Sequence, residues 1–150
     1  MTQTTESIAI GCDHGGFEMK QAIVAELTSM GYQVKDFGTN SADAVDYPDY
    51  AYPAAQAVAA GEFRFGILIC GSGQGVNMTA NKVHGIRAAL CRTLWDAEMA
   101  RKHNDANILC LGGRVTDIAD AKKMAISFLT TPFEGGRHKV RVEKIQKGCR

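Results

Sequence analysis

Cys70 closes the apolar run Phe65-Gly-Ile-Leu-Ile-Cys70 and is followed at once by Gly71-Ser-Gly-Gln-Gly75. A strand that leads through glycines into a helix leaves successive main-chain N–H groups at a helix N-terminus, where they stabilise a negative oxygen. A thiol at the lip of such a loop is biased toward its thiolate. A free thiol with a pKa near ~8.5 is roughly 3% ionised at pH 7, and a fall of one unit brings that to about 25%. Such a cysteine can act as nucleophile or base. The same glycines also suit a plain tight turn between a strand and a helix. The last glycine is misplaced for a dinucleotide fingerprint, and the Lys-Ser/Thr pair of a P-loop is missing.

Two further groups carry titratable or cationic side chains. Asp13 and His14 follow the first apolar run, where Asp13 could cap the helix that starts at Phe17 or the pair could do chemistry. His103, in Arg101-Lys-His-Asn-Asp105, falls at the end of a helix, a position that favours an imidazolium and equally suits a capping histidine. Arg137, His138 and Arg141 stand at i, i+1 and i+4, so the two arginines share one helix face while Val140 and Ile145 are free to pack. Paired guanidinium forks hold phosphate oxygens well, although a solvated surface helix fits the same pattern. No set of three His, Cys or carboxylate residues has zinc spacing, and Cys12-x-His14 alone is insufficient, so no metal is expected.

These residues need a frame. Ser7–Cys12, Tyr32–Phe37, Phe65–Cys70, Arg87–Cys91 and Ile108–Leu111 read as strands. Phe17–Met30, Ala54–Ala60, Val76–Lys82, Leu94–His103, Ala119–Leu129 and Arg137–Gln146 read as helices. The first helix turns Ile23, Leu27 and Met30 inward and leaves Glu18, Lys20 and Glu26 outside. In the fifth, Ala121, Met124, Ala125 and Phe128 face the core. Thr39–Pro53, rich in Asp, Tyr and Pro, reads as a loop. Strands alternating with helices predict an α/β fold with a parallel sheet covered on both faces. Ligands then bind beyond the carboxyl ends of the strands, where Cys12-Asp13-His14, Cys70 to Gly75 and Gly112-Gly-Arg114 gather.

The 150 residues are the size of one ordinary domain, and 45% hydrophobic with 22% charged residues excludes a disordered chain. The formal charge is +1, but residues 136–150 hold six bases and one acid, against 11 bases and 15 acids before them. With no interleaved aromatics, nucleic acid is a poor partner. No apolar run approaches the roughly 18 residues of a membrane span. Met1–Ser7 lacks the apolar core of a signal peptide, which points to the cytoplasm. Five cysteines without a CxxC pair fit a reducing compartment.

Seven motifs stand in order: Gly11-Cys-Asp-His-Gly-Gly16, Asp46-Tyr-Pro48, Ile69-Cys-Gly-Ser-Gly73, Ala80-Asn-Lys82 with Gly85-Ile-Arg87, His103-Asn-Asp105, Gly112-Gly-Arg-Val115 and Gly135-Gly-Arg-His138. Together they resemble the type B ribose-5-phosphate isomerases, whose wider family includes allose- and galactose-6-phosphate isomerases. The resemblance runs from about Ile8 to Ile145. It implies one isomerase domain over residues 1–150, a three-layer α/β/α sandwich with a five-stranded parallel, Rossmann-like sheet, and a C-terminal helix. It further implies a homodimer or dimer of dimers with sites shared between subunits, no cofactor, and aldose–ketose chemistry through an enediolate in the non-oxidative pentose phosphate pathway.

By that resemblance Cys70 matches the base working between C1 and C2, and the amides of Gly71, Ser72, Gly73 and Gly75 match the anion hole. Ser72 stands where many relatives have Thr. His103 and Asp13 match the ring-opening pair, His14, Arg114, Arg137, His138 and Arg141 the phosphate ligands, and Asn104 a sugar contact. A second branch of the family lacks the cysteine and uses a Glu just after the glycine loop. Val76 occupies that position here, so the chain follows the cysteine branch. Two alternatives stay open: an isomerase of a six-carbon sugar phosphate, and a non-catalytic sugar-phosphate binder, which would need neither the thiol nor a titratable His103.

Overall fold

A computed structural model describes residues 6–148; Met1–Thr5, Cys149 and Arg150 lie outside the described residues. Five strands, β1 (Ser7–Cys12), β2 (Gln33–Asp36), β3 (Phe65–Cys70), β4 (Ala88–Leu90) and β5 (Ile108–Gly112), form one parallel sheet in the order β2-β1-β3-β5-β4. β3 is central and buried along its whole length, which explains its uninterrupted apolar sequence. The register pairs Ile10 with Ile67 and Leu68 with Cys110.

The period of two along β3 divides the core into layers. Ile67 and Ile69 face α1 (Phe17–Ser29), α4 (Leu94–Lys102) and α5 (Ile118–Thr130), where Ile23, Leu27, Met124 and Phe128 pack. Leu68 and Cys70 face α2 (Pro48–Ala59) and α3 (Gln74–Ala80), against Ala51, Ala54, Val58 and Val76. The result is the expected α/β/α sandwich. From β1 the chain moves to the β2 side of the sheet, and from β3 it moves to the β4 side. β1 and β3 therefore flank a topological switch point, with a crevice between the loops at their carboxyl ends.

Several local expectations fail for physical reasons. The predicted loop Thr39–Pro53 contains the start of α2. Pro48 sits in the first turn, where its missing N–H costs nothing, and Pro53 removes a single helical bond. Ala51, Ala54, Ala55 and Val58 then supply a buried stripe strong enough to fix the helix. α1 stops at Ser29, so Met30 is a cap residue and is exposed.

Lys20 is buried rather than outside. It shares the inward face of α1 with Ile23 and Leu27, and its ammonium is satisfied there. Nζ lies 2.8 and 3.0 Å from the Asp36 carboxylate oxygens and donates to the Thr39 carbonyl and, at 3.3 Å, to Asn40 Oδ1. On the last helix, α6 (Arg137–Lys147), Val140 and Ile145 are exposed, and His138 and Val142, one turn apart, make the buried contacts instead.

Candidate active site

Three loops meet at the carboxyl edge of the sheet because glycines let their backbones touch. A Cβ on Gly113 would run into the Gly15 carbonyl, and one on Gly112 would lie 2.8 Å from the Ser72 carbonyl. Gly73 caps α3 at φ +82°, a left-handed conformation that glycine adopts without strain. Around this junction opens a cleft of about 570 Å3 lined by Asp13, Tyr47, Cys70, Ser72 and Arg114 together with Gly71 and Gly75.

Cys70 ends β3 at the cleft wall. Among the described residues the N–H groups of Ser72 and Gly73 have no acceptor within the chain, whereas that of Gln74 is taken by Ser72 Oγ at 3.2 Å. Because this Oγ accepts, its own hydrogen remains available to a ligand. Arg114 donates its backbone N–H to the Gly71 carbonyl, and its Nη1 lies 3.1 Å from where a Cβ on Gly71 would stand. A cation and aligned amides thus sit on the same few residues.

Asp13 does not cap α1, whose N-cap is Gly16 with no side-chain bond. It caps the 3-10 turn His14–Gly16 instead, accepting from Gly15 N at 2.8 Å, and it lines the cleft as well. His14 Nδ1 accepts from the Val45 N–H at 3.1 Å. The neutral ring therefore carries its hydrogen on Nε2 and presents a donor. The other described cysteines differ from Cys70 in their surroundings. Burial pushes the Cys12 thiol up to about 11, partly opposed by Lys20, and burial with the nearby Asp96 pushes Cys91 up to about 12. Cys110, wholly buried, is also raised. These three behave as core residues at neutral pH.

The remaining predicted residues form a second group. Parallel β4 and β5 oblige α4 to run back across the sheet, and its nine residues span about 13 Å at 1.5 Å per residue. His103, capping the far end, is consequently at the opposite edge from Cys70. There its ring stacks on His138 of α6, with centroids 4.2 Å apart and planes 12° from parallel. Glu134 Oε2 is 3.7 Å from His138 Nε2. Burial, His103 and Arg137 push the His138 imidazole below its ordinary value, with Glu134 acting the other way and Arg141 adding to the fall. Arg137 and Arg141 flank His138 on α6, and Asn104 lines a smaller hollow beside Ile145 and another beside His103. His103, Asn104, Arg137, His138 and Arg141 contribute nothing to the cleft that holds Cys70.

Sequence reading missed three contributors. Tyr47 and Met78 line the cleft, and Arg92 Nη2 reaches the Ser72 carbonyl at 3.2 Å. Tyr47 stood inside the Asp46-Tyr-Pro48 motif, yet only the fold brings its ring against Gly75. His103, Glu134 and His138 bring three donor atoms within 4.8 Å of one another, a grouping invisible in sequence spacing. In stacked rings the nitrogen lone pairs run side by side, so both histidines cannot address one cation as they stand, and two arginines adjoin them. The surroundings suit an anion.

Fold and cleft define a class: a parallel α/β protein whose small-molecule chemistry belongs at the strand ends of a switch point, around a thiol and an amide-rich loop. The profile of the Ribose/Galactose Isomerase family matches residues 8–145, and the chain belongs to that family. It is 49% identical over 140 residues to the ribose-5-phosphate isomerase B of Escherichia coli, covering 93% of this chain and 94% of that one. The solved ribose-5-phosphate isomerase B of Clostridium thermocellum superposes with a TM-score of 0.92 at 49% identity, over 94% of this chain and 95% of that one. That of Mycoplasma genitalium, solved with bound ribulose-5-phosphate, gives 0.92 at 42% identity over 95% of each chain. No helix among the described residues is long and apolar enough to cross a membrane.

Proposed function

We propose that this chain is a metal-independent aldose–ketose isomerase that interconverts D-ribose 5-phosphate and D-ribulose 5-phosphate in the non-oxidative pentose phosphate pathway of the cytoplasm, as a single domain. The observation that carries the reading is Cys70 at the rim of a loop whose Ser72 and Gly73 amides are free to meet an anion. The relatives' names support the substrate.

In the proposed reaction Cys70, as thiolate, removes the C2 proton of the open-chain aldose and returns it to C1, while the hydroxyl proton on O2 passes to O1 at the enediolate stage. The negative charge that develops on oxygen is met by the amides of residues 71–75 and by the Ser72 hydroxyl. His103 and Asp13 open the furanose ring, one giving a proton to the ring oxygen and the other taking one from the C1 hydroxyl. His14, Arg114, Arg137, His138 and Arg141 hold the phosphate, and Asn104 contacts the sugar. The Nε2–H of His14 and the Arg114 guanidinium beside Gly71 suit that duty. A phosphate grip remote from C1 and C2 turns binding energy into positioning.

The two groups of residues lie at opposite edges of one sheet, which supports a homodimer, or dimer of dimers, whose sites combine the thiol cleft of one subunit with the α4–α6 corner of its partner. The test of the reading is Cys70→Ala. Turnover falls by at least about a hundredfold, the magnitude of a positioned base, with ribose 5-phosphate affinity within a few fold. Unchanged turnover removes Cys70 from the mechanism.

A further inference from the structure

The α4–α6 corner holds an arrangement that phosphate binding alone does not require. Two imidazoles are stacked face to face, so a charge on one opposes a charge on the other. The groups facing His138 come from three places: His103 at the end of α4, Glu134 in the segment between α5 and α6, and Arg137 and Arg141 on α6 itself. Three of these oppose a positive ring, and one favours it. His138 is also buried, which removes the water that would otherwise stabilise its charge.

We propose that His138 takes up a proton from solvent when a tetrahedral dianion settles on the α6 arginines, so that anion binding and charging of the imidazole are a single linked step. The inference rests on the assignment of Arg137, His138 and Arg141 to the phosphate grip. In the empty corner burial, the stacked His103 and the two guanidinium groups all disfavour a charged ring. A dianion cancels the field of those guanidinium groups and adds a direct attraction. An adjacent opposite charge raises such a group by about one to three pH units, enough to carry an imidazole across neutrality. The anion is then met by an imidazolium as well as two arginines. Glu134, with Oε2 3.7 Å from Nε2, keeps part of the attraction in place before the anion arrives.

Linkage makes this measurable without turnover. The probe is inorganic sulfate, a dianion of the right shape that does not titrate near pH 7. Its binding heat is measured at pH 7.0 in several buffers of different ionisation enthalpy, and the slope gives the protons taken up. The expected slope is about half a proton or more per sulfate. It falls to near zero in His138→Phe, which keeps a stacked ring without a titratable nitrogen. His138→Gln serves as the second variant if that protein does not fold. Binding that weakens at least tenfold in Arg141→Ala but shows no buffer dependence overturns the inference and leaves the phosphate grip standing. Binding indifferent to Arg141→Ala, or no binding of sulfate, overturns the grip assignment and the inference with it.

Discussion

Lys20→Met tests whether a charge buried on the inner face of α1 holds the site's flanking loop. The ammonium, 1% exposed, faces the Asp36 carboxylate at 2.8 Å, the Thr39 carbonyl and Asn40 Oδ1. Met fills the same channel with a stem of similar length and no donor. Removing one partner of a fully buried pair costs about 3–5 kcal/mol. Here Asp36 is about one-third exposed and keeps the Gly38 N–H at 2.8 Å, so much of its charge remains solvated. The buried Thr39 carbonyl, by contrast, loses its ammonium donor and keeps only the weak Cys12 S–H at 3.9 Å. An expected loss of about 2–3 kcal/mol follows, or a Tm lower by roughly 4–12 °C for a chain of this size. The assay is urea unfolding at constant m, run as a double-mutant cycle with Asp36→Asn, with about 1–3 kcal/mol of coupling expected. Beyond Asn40 the same loop carries Val45, whose N–H fixes the His14 ring, so KM for ribose 5-phosphate rises several fold while turnover changes less. A loss under about 0.5 kcal/mol with additive single variants refutes the reasoning.

Alkaline stability reports the buried thiols. The folded state keeps the Cys91 proton to about pH 12 whereas the ordinary value is 9.0, so stability is complete below pH 9 and falls as pH rises above it. Unfolding curves between pH 9 and 10.5 should flatten in Cys91→Ala by about 1.4 kcal/mol per pH unit, and an unchanged slope removes this thiol from the effect. Iodoacetamide at pH 7.5 should label Cys70, with loss of activity and protection by ribose 5-phosphate, and should spare Cys12, Cys91 and Cys110, as peptide mass mapping would read. Mixing inactive Cys70→Ala and His103→Asn subunits after denaturation and renaturation should restore about a quarter of wild-type activity, because half the dimers are mixed and each has one intact site. No recovery argues that both residues serve the same chain.

β1, β3 and β5 were legible because each is an apolar run closed by Gly or Asp. β1 and β3 begin and end where Ser7–Cys12 and Phe65–Cys70 place them. The first half of α2 was hidden, because Pro48 and Pro53 read as loop residues until one asks which backbone N–H groups a helix can spare. Lys20 misled through its charge alone. Its spacing of three from Ile23 and seven from Leu27 already put it on the apolar face, and only Asp36, arriving from β2, supplies the partner that makes this tolerable. In both cases the deciding contact is a neighbour in space, which no window along the chain contains.

The site follows the same division. Glycines at 71, 73, 112 and 113 announced a place where backbones touch, and the cleft opens there. Tyr47 and Arg92 were illegible because their importance lies in what they approach. The separation of Cys70 from His103 has a more general cause. In a parallel sheet every strand ends at one edge, and every crossover helix ends at the other. Cys70 at the end of β3 and His103 at the end of α4 are therefore kept apart by the topology that makes each element stable, whatever the loops between them do. The proposed reaction, which uses both, therefore calls for two chains, and the exposed Val140 and Ile145 of α6, on the helix that carries His138, are surface that such an assembly would cover.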